Sequence, residues 1–300
     1  MNIEEQFSAY GDVECNEPLS KHTTFRIGGS CAYFVYPKNE ICLIQIINIC
    51  KKEGLPYRIF GKGSNLLCSD ERYEGVILCL DRYMNDMYFE ENGCCVAQAG
   101  CSIILLAHEA MKRSFSGLEF ASGIPGTLGG ALYMNAGAYR SAMSDVLKQV
   151  FVYRDGQCVW MDAKDLAYGY RQSRFQKERD WIILAGRLQL EKGDQSEIMA
   201  LMDLRRQRRM DTQPLNKPSA GSMFRNPENM SAWELIDKIG YRGKIIGGAA
   251  VSAKHPNFIV NENQASANDV VQLISEIQEK VKKQFGIELH TEVERFNWKN

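Results

Sequence analysis

Three short segments of this chain hold side chains whose types and spacing can do chemistry. In Tyr168-Gly169-Tyr170-Arg171-Gln172-Ser173-Arg174, an arginine offers a planar fork of donors that suits a carboxylate or a phosphate. A solvated surface loop is the plainer alternative, and Arg174 reads that way. In Pro218-Ser219-Ala220-Gly221-Ser222-Met223-Phe224-Arg225-Asn226-Pro227, Gly221 and two prolines fix a loop that holds Ser222. A serine hydroxyl can deliver a proton if something compensates the charge. No G-x-S-x-G elbow surrounds it, which disfavours a hydrolase nucleophile. A turn serine bonded to its own backbone is the commoner fate of serine in such loops. In Leu289 to Phe296, read as a strand, alternation places His290, Glu292 and Glu294 on one face. A carboxylate there can be catalytic, or the face can be a charged solvent stripe. Spacing alone does not choose between the two glutamates.

Two glycine-rich segments supply the means to hold an anion. Gly61-Lys62-Gly63-Ser64-Asn65-Leu66-Leu67 follows a predicted strand. Its glycines let the backbone turn tightly and approach a ligand, and Ser64 and Asn65 add side-chain donors. The segment lacks the third glycine of G-x-G-x-x-G and the G-K-[ST] ending of a P-loop, so a plain glycine turn is the alternative. Gly123-Ile124-Pro125-Gly126-Thr127-Leu128-Gly129-Gly130 is the second segment. Two such segments can line both sides of one extended ligand, for which a dinucleotide is a candidate; a packed turn that requires small residues is the alternative. The basic run Arg205-Arg206-Gln207-Arg208-Arg209 can meet a diphosphate, although a solvated helix face accounts for most of these arginines. The four histidines show no ligand spacing, and His108 reads as a core residue of an apolar helix. The ten cysteines form no C-x-x-C pair, so free buried thiols are expected and no metal site is.

The elements that must position these groups alternate. Strands are expected at Ala32 to Tyr36, Tyr57 to Phe60, Val76 to Leu80, Met87 to Phe89, Val96 to Ala99, Val150 to Tyr153, Val159 to Met161 and Ile182 to Leu190. Asn39 and Ser102 stand where N-caps belong. Ser231 with Glu234 reads as a capping box. From about Asn268 to Phe285 the residues Val270, Ile274, Ile277, Val281 and Phe285 share one helix face, which Gly286 can end. The whole reads as α+β, in three parts meeting near residues 80 and 195.

Composition narrows the function class. Apolar residues are 45% and charged residues 24% of 300, so the chain can bury a full core. A formal net charge of -1 gives no electrostatic case for nucleic acid or a membrane surface. The first twenty residues are acidic where a secretion signal needs a basic region, and no run approaches a membrane span. A cytoplasmic protein is therefore expected.

Taken together and in order, HTTFRIGG, GKGSNLL, GIPGTLGGALYMNAGAY, GYRQSRF, PSAGSMFRNP, IGGAAVS, FIVNENQASANDVV and the closing TEV resemble the UDP-N-acetylenolpyruvoylglucosamine reductase family, short form (type II), over nearly the whole chain. The resemblance implies an FAD-binding domain of vanillyl-alcohol-oxidase (PCMH) type in two subdomains, 1–80 and 81–194, and a C-terminal α+β substrate-binding domain, 195–300. It implies FAD held without a covalent link, NADPH as co-substrate, and reduction of UDP-N-acetylglucosamine enolpyruvate in peptidoglycan synthesis. It assigns catalysis to Arg171, Ser222 and Glu292. Flavin contacts would come from Gly61, Lys62, Gly63, Ser64, Asn65 and Leu66, and from Ser122, Gly123, Ile124, Pro125, Gly126, Gly129 and Gly130. Substrate contacts would come from Tyr170, Arg209, Arg225 and Asn226, and the expected state is a monomer. Two alternatives remain at this stage. One is an alcohol oxidase on the same flavin fold, against which stands the lack of a linking histidine in either glycine segment. The other is an inert nucleotide-binding protein, against which stands the presence of all three polar motifs.

Overall fold

The computed structural model describes residues 2–298. The chain divides into two compact units. The first comprises residues up to Cys15, Tyr33–Lys62 and Gly75–Arg208; the second comprises Asn16–Ala32, Gly63–Glu74 and the chain from Arg209 onward.

In the first unit, one sheet has the strand order Gly11–Pro18, Ser30–Pro37, Tyr73–Cys79, Tyr57–Phe60. Its last two strands are parallel, with Tyr57 opposite Val76 and Phe60 opposite Cys79. Residues 61–72, with the short strand Leu66–Cys68, connect this parallel pair, while the helix Glu40–Glu53 follows Ser30–Pro37 in the chain and leads into Tyr57–Phe60. Asn39 caps it by accepting from Cys42 N–H, and Gly54 ends it in a left-handed conformation at φ 67°. The helix buries Leu43, Ile46, Ile47 and Cys50. A second, antiparallel sheet runs Gln157–Asp162, Leu147–Arg154, Ile182–Gln189, Cys94–Gln98, Met87–Phe89. The helix Leu128–Met134 packs on its Ile182–Gln189 strand. Gly186 permits the close approach, since a Cβ there would stand 2.9 Å from Leu132 Cδ1. Most of the expected strands are present, but this helix lies inside a segment whose glycines suggested only turns. Thr127 caps it, Asn135 closes it at φ 44°, and core packing of Leu128, Ala131 and Leu132 offsets the weak helix propensity of Gly129 and Gly130.

In the second unit, an antiparallel sheet runs Ser219–Ser222, Phe258–Asn261, Ala249–Val251, Ile245–Ile246. The helix Ala267–Phe285 covers it with Val270, Leu273, Ile274, Ile277 and Val281, all fully buried or nearly so. Burying each such side chain contributes about 1.5–3 kcal/mol relative to exposure. Ser266 and Asp269 form a complete capping box at its start, and Gly286 ends it at φ 70°.

The structure corrects several local expectations. The closing strand is only Glu294–Phe296, parallel to Leu66–Cys68, whereas Leu289 to Phe296 was expected. Upstream of it the chain pairs with a different partner: Thr291 bridges Phe224 antiparallel. The chain changes neighbours between Thr291 and Glu294, so simple alternation does not set the faces of His290, Glu292 and Glu294. Ser231 precedes the helix Ala232–Lys238 but makes no side-chain cap bond, so no capping box forms there. His108 is exposed, not in the core. Its helix, Ile103–Lys112, buries Ile103, Leu106, Ala107, Ala110 and Met111, which leaves position 108 on the opposite face. The ten cysteines are free; six are buried, while Cys15 and Cys158 are exposed.

Candidate active site

In the first unit the two glycine segments meet. A Cβ on Gly61 would lie 2.4 Å from Thr127 Oγ1, so the backbone at 61 sits directly on the start of the Leu128–Met134 helix. Thr127 Oγ1 accepts from Gly130 N–H at 3.3 Å. A Cβ on Gly129 would stand 3.0 Å from Ala99 Cβ, whereas one on Gly130 would meet only Thr127 Oγ1, at 3.6 Å. Gly129 is thus a packing glycine, and Gly130 faces open space. Among the described residues, no acceptor is paired with Gly126 N–H. Small residues, an exposed backbone donor and a helix N-terminus are what a diphosphate requires, so the segment fits that group. Ser122 Oγ, by contrast, donates to Glu119 O at 2.9 Å. Lys62 Nζ is held by Asp81 at 2.6 Å, which neutralises its charge within the loop. Burial, reinforced by Asp81, pushes the neighbouring Cys79 thiol up, so it stays protonated.

Arg171 sits at the tip of a tight hairpin in the same unit. Gly169 and Gln172 exchange both backbone hydrogen bonds at 3.1 Å, which leaves Tyr170 and Arg171 as the turn. Arg171 adopts φ 56°, a strained conformation for a residue with a side chain. Its surroundings determine that conformation. Asn135 Nδ2 donates to Gly169 O at 2.9 Å, Gln176 Nε2 to Arg171 O at 3.2 Å, and Ser173 Oγ to Tyr133 O at 2.6 Å. The guanidinium donates to Gly137 O at 2.9 Å. Gly137–Ala138 pairs with Ser141–Ala142 in a second hairpin, whose tip residues Tyr139 and Arg140 also have positive φ. Arg205 and Arg208 stack on the Tyr139 ring, at 5.0 and 6.0 Å. Tyr170 is exposed, and Arg174 pairs with Glu178 at 3.6 Å and lies over Trp181, as a surface arginine would.

The second unit brings together Ser222, Glu292 and the Gly63 to Leu67 part of the first glycine segment. Glu292 N–H donates to Met223 O at 2.9 Å, and Arg225 N–H to His290 O at 2.9 Å. Asn65 Nδ2 donates to Glu292 O at 3.0 Å, and Glu294 N–H returns a bond to Asn65 O at 3.0 Å. Ser222 and Glu292 are both half-buried. Glu292, rather than Glu294, stands opposite the serine segment. Ser64 offers a backbone N–H with no acceptor among the described residues. Gly63 has a different reason to be glycine than ligand approach: at φ 58°, a Cβ would lie 2.1 Å from His22 O and 2.8 Å from Thr23 Cα.

The expected substrate contacts are divided. Arg225 Nε is buried without a hydrogen-bond partner among the described residues, so a donor is available there. Asn226 is already used in part: its Oδ1 accepts from Ala232 N–H at 3.0 Å, capping the helix in place of Ser231. Arg209 accepts through its carbonyl from Gln213 N–H at 2.8 Å and is half-buried. Sequence reasoning missed Asn135, Asn257 and Tyr139. No local pattern marks the two asparagines, because their amides satisfy backbone groups remote in the chain.

This combination of folds defines a class. Residues 31–162 match the FAD-binding domain family, and residues 213–296 match the C-terminal domain of UDP-N-acetylenolpyruvoylglucosamine reductase. The chain is an FAD-dependent oxidoreductase of α+β architecture, and FAD is its cofactor. It is 43% identical over 285 residues to UDP-N-acetylenolpyruvoylglucosamine reductase of Anoxybacillus flavithermus, covering 95% of this chain and 94% of that one. The same enzyme of Bacillus subtilis is 41% identical over the same shares. The crystal structure of UDP-N-acetylenolpyruvylglucosamine reductase from Thermus caldophilus superposes with a TM-score of 0.79 at 32% identity, covering 95% of this chain and 98% of that one. The chain belongs to the UDP-N-acetylenolpyruvoylglucosamine reductase family. Among the described residues, no helix is long and apolar enough to cross a membrane.

Proposed function

We propose that the chain reduces UDP-N-acetylglucosamine enolpyruvate to UDP-N-acetylmuramate, with NADPH as the reductant, as a cytoplasmic monomeric enzyme of peptidoglycan synthesis. The observation that carries this reading is similarity at 41–43% identity along 95% of the chain to reductases of that name.

Gly61 to Leu66 and Ser122 to Gly130 would hold the flavin nucleotide, within a flavin-binding part reaching to about residue 194. The remainder, from 195, would bind the sugar nucleotide, with Tyr170, Arg209, Arg225 and Asn226 as contacts. When bound, FAD would supply the redox chemistry, relaying a hydride from NADPH to the terminal methylene of the enolpyruvyl ether. That addition leaves negative charge on the neighbouring carbon and its carboxylate. Arg171, immobilised by its bond to Gly137 O, is assigned to the substrate carboxylate. Ser222 is assigned the proton for the neighbouring carbon. Glu292 is assigned to hold the substrate and stabilise the developing charge. Its main chain is tethered on both sides, by Met223 and by Asn65, so its placement is set before substrate arrives. The test is NADPH oxidation by the flavin-loaded protein without air: it should stop once the flavin is reduced and continue only with the UDP-enolpyruvyl sugar present. Equal rates with and without that sugar would remove the assignment.

A further inference from the structure

The residues that follow Ser222 are held by a side chain that no sequence motif suggested. Asn257 is 4% exposed. Phe224 N–H donates to its Oδ1 at 3.0 Å, and its Nδ2 donates to Phe224 O at 2.8 Å. The carbonyl of Asn257 accepts from Met223 N–H at 2.7 Å. Three hydrogen bonds from one residue therefore fix the two residues after Ser222. The amide has a single workable orientation, because rotating it would set donor against donor and acceptor against acceptor.

The sheet does only part of this work: Ser222 stands opposite Phe258. Pairing of Ser219–Ser222 with Phe258–Asn261 is irregular between Ser219 and Ser222. Gly221 between them has φ 80° and nothing within 4 Å of a Cβ position. On the other flank, Glu292 N–H reaches Met223 O, and His290 O receives Arg225 N–H. The Ser222 segment thus lies between the Asn257 amide and the segment that carries Glu292. Met223 and Phe224 are buried, which anchors their side chains. Apolar contacts are non-directional, however, and tolerate small rotations of the backbone. The amide clamp fixes that orientation.

We propose that Asn257 is a positioning residue for Ser222, setting where its hydroxyl stands when it delivers a proton. The inference rests on the proton-donor reading of Ser222 given above. In Asn257→Asp the acceptor for Phe224 N–H remains and the donor to Phe224 O is lost; Asn257→Gln keeps both groups but displaces them by one methylene. Stopped-flow absorbance of the flavin-loaded protein separates reduction by NADPH from reoxidation by the UDP-enolpyruvyl sugar. In both variants FAD content and the reduction rate should match wild type, while reoxidation slows roughly 10- to 100-fold, the scale expected for a small misplacement. Combined with Ser222→Ala, either variant should add no further slowing beyond that of Ser222→Ala alone, because the two residues act through one hydroxyl. Wild-type reoxidation in the Asn257 variants, multiplicative slowing in the double variants, or loss of FAD from both single variants would overturn the proposal. If Ser222→Ala itself reoxidises at the wild-type rate, the proton-donor reading fails first. If Ser222→Ala is slow and the Asn257 variants are fast, the positioning role alone fails.

Discussion

Asn65 Nδ2 donates to the main-chain carbonyl of Glu292 at 3.0 Å, and Asn65 O receives Glu294 N–H at 3.0 Å. A residue of the first glycine segment is therefore also a brace for the candidate catalytic glutamate. Asn65→Leu keeps the branched side-chain shape but removes the donor to the Glu292 carbonyl, at a cost of about 1–3 kcal/mol. The expected outcome is a lower Tm by several degrees together with reduced turnover, measured by differential scanning fluorimetry and NADPH oxidation. An unchanged Tm with unchanged turnover would show that the Asn65 amide does not set the placement of Glu292.

Arg171 is held in a strained turn by Asn135, Ser173 and Gln176, and its guanidinium already bonds Gly137 O. A lysine ammonium cannot keep that bond and also present a planar pair of donors. Arg171→Lys should lower turnover at least roughly 100-fold, the scale of a lost charge-stabilising donor, with flavin content unchanged by absorbance. Near-normal turnover would move the carboxylate contact to another residue.

Gly63 gives a prediction that differs from one based on ligand approach. Because a Cβ there meets the backbone of His22 and Thr23, Gly63→Ala strains the protein itself, with or without flavin. Its Tm should fall in the flavin-free protein as well as in the loaded one. A drop confined to the loaded protein would return the glycine to the ligand.

These cases show what was legible in the sequence and what was not. Strands such as Tyr57–Phe60 and Met87–Phe89, and the helix Ala267–Phe285, follow from local period and caps, and each appeared where that pattern put it. The ordered motifs were sufficient for the family. The helix Leu128–Met134 was hidden because two glycines mask its propensity, and only packing against Gly186 and the core stabilises it. Glu292 and Glu294 could not be separated by spacing, since a change of hydrogen-bond partner between Thr291 and Glu294 breaks the alternation. Asn257 and Asn135 gave no pattern at all: an amide that satisfies remote backbone groups leaves no local trace.

His255 carries a pH dependence. Burial holds its pKa below the ordinary 6.5, helped by the nearby Arg242 charge, and Nδ1 has no hydrogen-bond partner in the structure. The unfolded chain then binds more protons than the folded one once pH drops below about 6.5, so stability is full above that value and declines as pH falls toward the folded pKa. Thermal melts between about pH 7 and 5.5 should show Tm falling in the wild type, with a shallower slope in His255→Phe. Parallel slopes would mean that His255 titrates alike in both states.

The most direct test of the account uses the protein loaded with FAD, without air. NADPH should bleach the yellow flavin band, and the band should stay bleached until UDP-N-acetylglucosamine enolpyruvate is added. Colour should then return in proportion to the sugar, and mass spectrometry should find a product two hydrogens heavier. If the sugar leaves the band bleached, or if colour returns with no heavier product, the protein does not catalyse the proposed reduction.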